Sequence, residues 1–204
     1  MQRGIYFLIA LLIGFSVHEY AHALIAYKCG DNTAKLEGRL TLNPVSHLDP
    51  VGAVFLVFMA FAGFGLAWGK PVPVNFNNLK NPRRDEMLVS VAGITANLII
   101  ACIAGILYRL FGHSLPNSAI AFTVILVSVN VSLAVFNLIP LYPLDGSRIL
   151  MGFMSYNASR NYQIFMQKYS LIIFIAFLGF LYSPLKAIII VPMEILVRLF
   201  IGVY

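Results

Sequence analysis

The sequence predicts an all-α integral membrane protein with about five transmembrane helices and one further apolar segment, 51–68, that re-enters or lies shallow. Three observations predict it. Of 204 residues, 60% are hydrophobic and 11% charged, against roughly 45–50% and about 25% in a soluble domain. Mean hydropathy is +0.85. The apolar residues also gather into runs near the roughly 20 residues that a helix needs to cross the hydrocarbon. Two Cys make no disulfide scaffold, and the runs exclude disorder. The net charge of +6 is thinly scattered, so it builds no basic face for nucleic acid.

The runs, in order, are residues 4–26, 51–68, 87–111, 119–144, 170–182 and 185–204. The first lacks a basic leader and carries His18, Glu19 and His22 inside its apolar stretch, so it reads as a retained helix and not a signal peptide. The second contains Gly52, Gly63 and Gly65 and is the weakest span. The break at 69–86 holds Pro71, Pro73, Pro82 and four Asn, the composition of an extended or turn-rich loop. The last two runs meet at Ser183-Pro184, and the final one carries Lys186, Glu194 and Arg198. No internal repeat or soluble domain is present. The chain reads as one domain, 1–204, with a core at about 4–150 and C-terminal helices at about 165–204.

Residues 18–22 read His-Glu-Tyr-Ala-His. On a helix, residues four apart share a face, so both imidazoles reach one ion while Glu19 points about 100° round, toward a water on that ion. Each ionisable group within a span costs on the order of 2.5–3.5 kcal/mol on insertion scales, so three in five residues need a compensating partner. A catalytic zinc takes three protein groups and a water. Two acidic residues are candidates for the third. Glu194 has Arg198 four residues on and reads as an i,i+4 ion pair. Asp145 lies among Pro140, Pro143 and Gly146, which break a helix, and broken backbone at membrane depth lines a cavity or is buried in protein. Asp145 is the better ligand, its alternative being a cap for the segment near Ser147.

These motifs resemble the site-2 protease family of intramembrane zinc metalloproteases. The resemblance rests on HExxH at 18–22, on Asn137-Leu138-Ile139-Pro140 running to Leu144-Asp145-Gly146, and on Gly93 to Asn97 as that family's G-x-x-x-N. Residues 38–52 and 70–86 look like its short bacterial branch without an appended regulatory domain. Ile94 replaces a Pro usual there, and Tyr142-Pro143 shifts another by one position; neither is a ligand position. The resemblance implies one Zn2+ per chain held by His18, His22 and Asp145, with Glu19 as general base. Asn97 and Asn137 match two polar positions that donate to substrate or oxyanion, or else join helix to helix. It implies hydrolysis of a peptide bond within or next to a transmembrane segment of a membrane-protein substrate. The implied partners are that substrate, the lipid bilayer and a regulatory membrane protein, with no nucleic acid. Two rivals remain at this point: a transporter or channel using the same polar residues as an ion pathway, and a catalytically silent membrane chaperone.

One ion shared by residues 18–22 and 145 requires both to lie at similar depth. Each falls late in its apolar run, so the two helices run in the same direction with an odd number of crossings between them. One of the two intervening runs therefore does not cross, and 51–68 is the weaker. Basic residues agree. Leaving aside Lys186 and Arg198, a non-crossing 51–68 puts ten of the remaining twelve on one side, with Arg3 and Arg109 opposite. Positive residues favour the cytoplasmic side. This places the site toward the cytoplasmic half of a bacterial cytoplasmic membrane, with the N-terminus outside. His47, His113, Cys29 and Cys102 lack metal-ligand spacing; His47 is expected to order its loop.

Overall fold

The structure, a computed structural model, describes residues 2–62 and 69–202. Among them are nine α-helices and no strand: α1 (Gln2–Lys28), α2 (Thr33–Leu36), α3 (Pro50–Ala62), α4 (Pro82–Phe111), α5 (Asn117–Leu138), α6 (Asp145–Phe153), α7 (Tyr156–Lys168), α8 (Ser170–Tyr182) and α9 (Ala187–Ile201).

By length and composition, α1, α4 and α5 can cross a membrane, and α7 with α8 makes a fourth candidate, bent by 79°. The expected five spans are therefore three or four among the described residues. α9 has only 15 residues, with Pro192 inside it and Glu194 and Arg198 among them. The segment expected to lie shallow at 51–68 is represented by α3. Its described part, Pro50–Ala62, has 13 residues. The rest of that expectation, residues 63–68, lies outside the described residues.

Side-chain contacts fix the directions of the three long helices. Along α1, Tyr6 meets Phe122 of α5, Gly14 lies against Asn130 and His18 reaches Asp145 just beyond α5, so α1 and α5 run parallel. Against α4 the order reverses. Gly14 meets Asn97 and His22 meets Val89. One antiparallel crossing thus separates two parallel helices, the odd number that a shared ion requires. α9 closes the far end over Ala101, Ala104, Val127 and Val131, where Arg109 donates to the carbonyls of Leu199 and Phe200 at its C-terminus.

At the other end, loops fold under the site. Asp31 is fully buried and accepts from the Thr33 and Asn75 amides, the Thr33 hydroxyl and the Asn78 side chain at 2.5–3.1 Å. It ties the turn after α1 to the stretch before α4. Arg39 donates to the carbonyls of Lys70 and Pro71, and the Lys70 amide donates to the carbonyl of His47. Residues 69–75 run as irregular extended chain held on both sides.

Candidate metal centre

Two turns near the end of α1 present His18, Glu19 and His22, which are 5%, 6% and 9% exposed. α5 ends at Leu138, as Pro140 and Pro143 require, and α6 begins at Asp145. The break is tight. A Cβ at Gly146 would fall on the Leu138 carbonyl, so only glycine lets the start of α6 fold back onto the end of α5. Asp145 is thereby aimed at α1. No side-chain bond caps the start of α6, so the capping alternative for Asp145 is not realised.

The convergence is close. Asp145 Oδ2 lies 3.3 Å from His18 Nε2 and 3.2 Å from His22 Nε2, and the two Nε2 atoms are 2.9 Å apart. Ligand atoms bound about 2.0–2.1 Å from one ion at tetrahedral angles stand about 3.3 Å from each other. Among the described residues, this is the one group of three or more His, Cys, Asp or Glu side chains with metal-ligand spacing.

The proton inventory says what must lie between these atoms. His22 Nδ1 is 2.7 Å from the carbonyl of Val89, which can only accept, so Nδ1 carries a proton and in the neutral ring Nε2 holds the lone pair. His18 Nδ1 is 2.7 Å from Asn97 Oδ1. The Asn97 Nδ2 donates to the Gly14 carbonyl at 2.9 Å and to Asn130 Oδ1 at 3.0 Å. That fixes the amide with Oδ1 toward His18, and His18 too presents a bare Nε2. Asp145 Oδ2 is buried with no hydrogen-bond donor. With both rings neutral, three acceptor sites converge, an arrangement that calls for a cation. The residues fit a metal ion.

Neighbouring groups set the shape. Glu19 Oε2 accepts from the Val72 amide at 2.6 Å. Gly93 on α4 lies so close that a Cβ would come within 2.6 Å of both imidazoles. Two cavities meet at the site. One, about 340 Å³, is lined by polar groups including Ser90, Asn137, Asp145 and Arg148. The other, about 270 Å³, runs along Leu11, Leu12, Phe15, Leu133 and Phe136. His18, Glu19 and Asn137 line both.

The other residues singled out from the sequence lie as follows. Asn137 borders the site with one amide proton on the Leu133 carbonyl. Asn97 is fully buried and its oxygen and both amide protons are spent on His18, Gly14 and Asn130. Of its two readings the structure shows the helix-joining one, since no proton is left for a substrate. Glu194 is remote from the site, and the expected pair with Arg198 is not made; both line a separate groove between α5 and α9. His47 is buried and bonds the Thr41 carbonyl, a loop-ordering contact. His113 is exposed, and Cys29 and Cys102 are free. The sequence reading missed Asn130 and Val72, and it named Gly93 in the G-x-x-x-N pattern without a role. Asn130 carried a signal, being an amide within the apolar run 119–144 and seven residues, about two turns, before Asn137.

Comparison with known proteins points to one family. Residues 104–181 match the family described as Peptidase family M50. The chain is 46% identical over 153 residues to the "Putative zinc metalloprotease YwhC" of Bacillus subtilis, covering 71% of this chain and 67% of that protein. It is 34% identical over 140 residues to the "Putative zinc metalloprotease Rip2" of Mycolicibacterium smegmatis, covering 66% and 52%. With the "Zinc metalloprotease MJ0392" of Methanocaldococcus jannaschii it shares 27% identity over 147 residues, covering 72% and 34%. The chain thus spans about two thirds, half and one third of these relatives. No solved structure matches it.

Proposed function

The chain belongs to peptidase family M50, the site-2 protease family of membrane metalloproteases, and on that footing we propose that it hydrolyses a peptide bond within or next to a transmembrane segment of a membrane-protein substrate, with one zinc ion held by His18, His22 and Asp145. The observation that carries this reading is the convergence of three bare acceptor atoms within 3.3 Å of one another, beside Glu19 and at the junction of a polar and an apolar cavity.

Zinc in this position supplies Lewis acidity and lowers the pKa of water toward about 7. The chain's own residues do the rest. Asn97 and the Val89 carbonyl hold the imidazoles in the tautomer that turns Nε2 inward. Glu19 takes the proton of the attacking water and returns it to the leaving amine. The Val72 amide keeps the Glu19 carboxylate in place until then. Asn137, bordering both cavities, is placed to bond the substrate backbone. The apolar cavity suits a substrate helix arriving from lipid, and the polar one suits water. By the distribution of Lys and Arg, the polar loops face the cytoplasm of a bacterial cell. A regulatory membrane protein fits as a further partner.

The experiment is zinc content per chain with cleavage of a membrane-helix substrate by the purified wild type and Glu19→Gln. About one zinc in both, with cleavage by the wild type alone, is the expected result. Cleavage by metal-free protein, or ion flux without cleavage, overturns the reading.

A further inference from the structure

A second polar feature lies away from the metal centre. Glu194 and Arg198, one turn apart on α9, line a groove of about 330 Å³ together with Ser128 and Ser132 of α5. Those serines sit near the middle of α5, on either side of Asn130, which meets Asn97 of α4. Their level is therefore deep in the bilayer. Both charged side chains are exposed, and neither makes an ion pair among the described residues. Around them α9 also exposes Val191 at 48%, Ile190 at 37% and Ile195 at 59%. An acid and a base facing lipid at this depth need partners, because intramembrane charges pair with one another or with carbonyls.

The patch carries one negative and one positive group, so it is its own electrostatic complement. A two-fold contact brings the same patch of two copies together and sets each group against its opposite. Copies inserted with the same topology share depth, so the axis lies along the membrane normal and the two α9 helices run parallel. Glu194 and Arg198 differ in depth by one helical turn, about 6 Å for four residues, which the Arg side chain spans. A partner with a patch of one sign would leave one of the two charges unmatched.

We propose that the groove between α5 and α9 is the contact between two copies of this chain, with Glu194 of each copy meeting Arg198 of the other. The contact is remote from the metal centre and does not rest on the peptidase reading.

The test counts fluorophores per particle, by single-molecule photobleaching, for the full chain in liposomes over a range of protein-to-lipid ratios. Wild type is expected to dimerise. Glu194→Arg and Arg198→Glu each shift the half-dimer ratio by at least about tenfold, since each puts like charges together. The double reversal restores the wild-type ratio. A wild type that stays monomeric, single reversals without effect, or a double reversal that fails to recover each overturn the proposal. A foreign helix or a lipid headgroup in the groove would give the first of these. A second measurement leaves the charges intact: with Cys29 and Cys102 replaced by Ser, Val191→Cys forms an intermolecular disulfide in membranes and Ile188→Cys does not. Equal or absent cross-linking at the two positions overturns it.

Discussion

The side-chain oxygen of Asn97 on α4 lies 2.7 Å from the Nδ1 of His18 on α1, and the same amide group spends its two protons on Gly14 and Asn130. Asn97 therefore acts through His18. Replacing it with Leu is expected to lower zinc affinity by about 10–100-fold, the range for groups that orient a ligand. Titration of cleavage with zinc separates this from a substrate-binding role. Activity of Asn97→Leu recovers toward wild type at high zinc, whereas a lost oxyanion donor would stay lost.

Glu19 makes no contact with the three ligand atoms that would hold it on the metal, and its carboxylate is bonded to the Val72 amide. Glu19→Gln keeps the shape and loses the base. The expected outcome is unchanged zinc content with cleavage slowed by about a hundredfold to ten-thousandfold, measured by metal analysis alongside product formation.

At Gly93 two effects have opposite signs. Gly→Ala inside a helix is worth about 1 kcal/mol of added stability, but the new methyl would stand 2.6 Å from His18 and His22. Gly93→Ala is expected to hold or raise the melting temperature of the metal-free protein while zinc binding and cleavage fall. A variant that binds zinc normally would show that α4 yields at this point.

Asp31, in the loop after α1, gives a pH dependence. Burial pushes its carboxyl up, but the hydrogen bonds from Thr33, Asn78 and Asn75 outweigh it and hold the group below its ordinary value of 3.8. A depressed carboxylate stabilises the fold above the unfolded value, and that contribution is lost as pH falls through the lower, folded one. Asp31→Asn is therefore expected to cost about 1–3 kcal/mol near neutral pH. The gap to wild type closes below pH 3.8, read as melting temperature against pH.

Much of this was legible in the residues. Histidines and carboxylates in apolar runs are conspicuous because lipid makes them costly, so His18, His22 and Asp145 stood out before any geometry. An odd number of crossings followed from them, and the structure shows α1 and α5 parallel with α4 between. Other features left weaker traces. Asn97 offered two readings, since only the positions of Gly14 and Asn130 decide where its protons go. Val72 contributes a backbone amide, which no side chain announces. Gly93 acts by what it lacks. Three or four of the five expected spans pass by length and composition among the described residues, because α7 and α8 are bent by 79° and α9 has only 15 residues. Glu194 and Arg198 have the spacing of an internal pair, and only the groove beside α5 shows them turned elsewhere.

The meeting of two unlike cavities at His18, Glu19 and Asn137 bears on how turnover is counted. In the proposed hydrolysis, one reactant is drawn from an aqueous phase at fixed activity, the other from a two-dimensional oil whose capacity is the number of surrounding amphiphiles. The saturation constant is then a mole fraction, and adding empty micelles at constant volume slows the reaction with no change in either molecule.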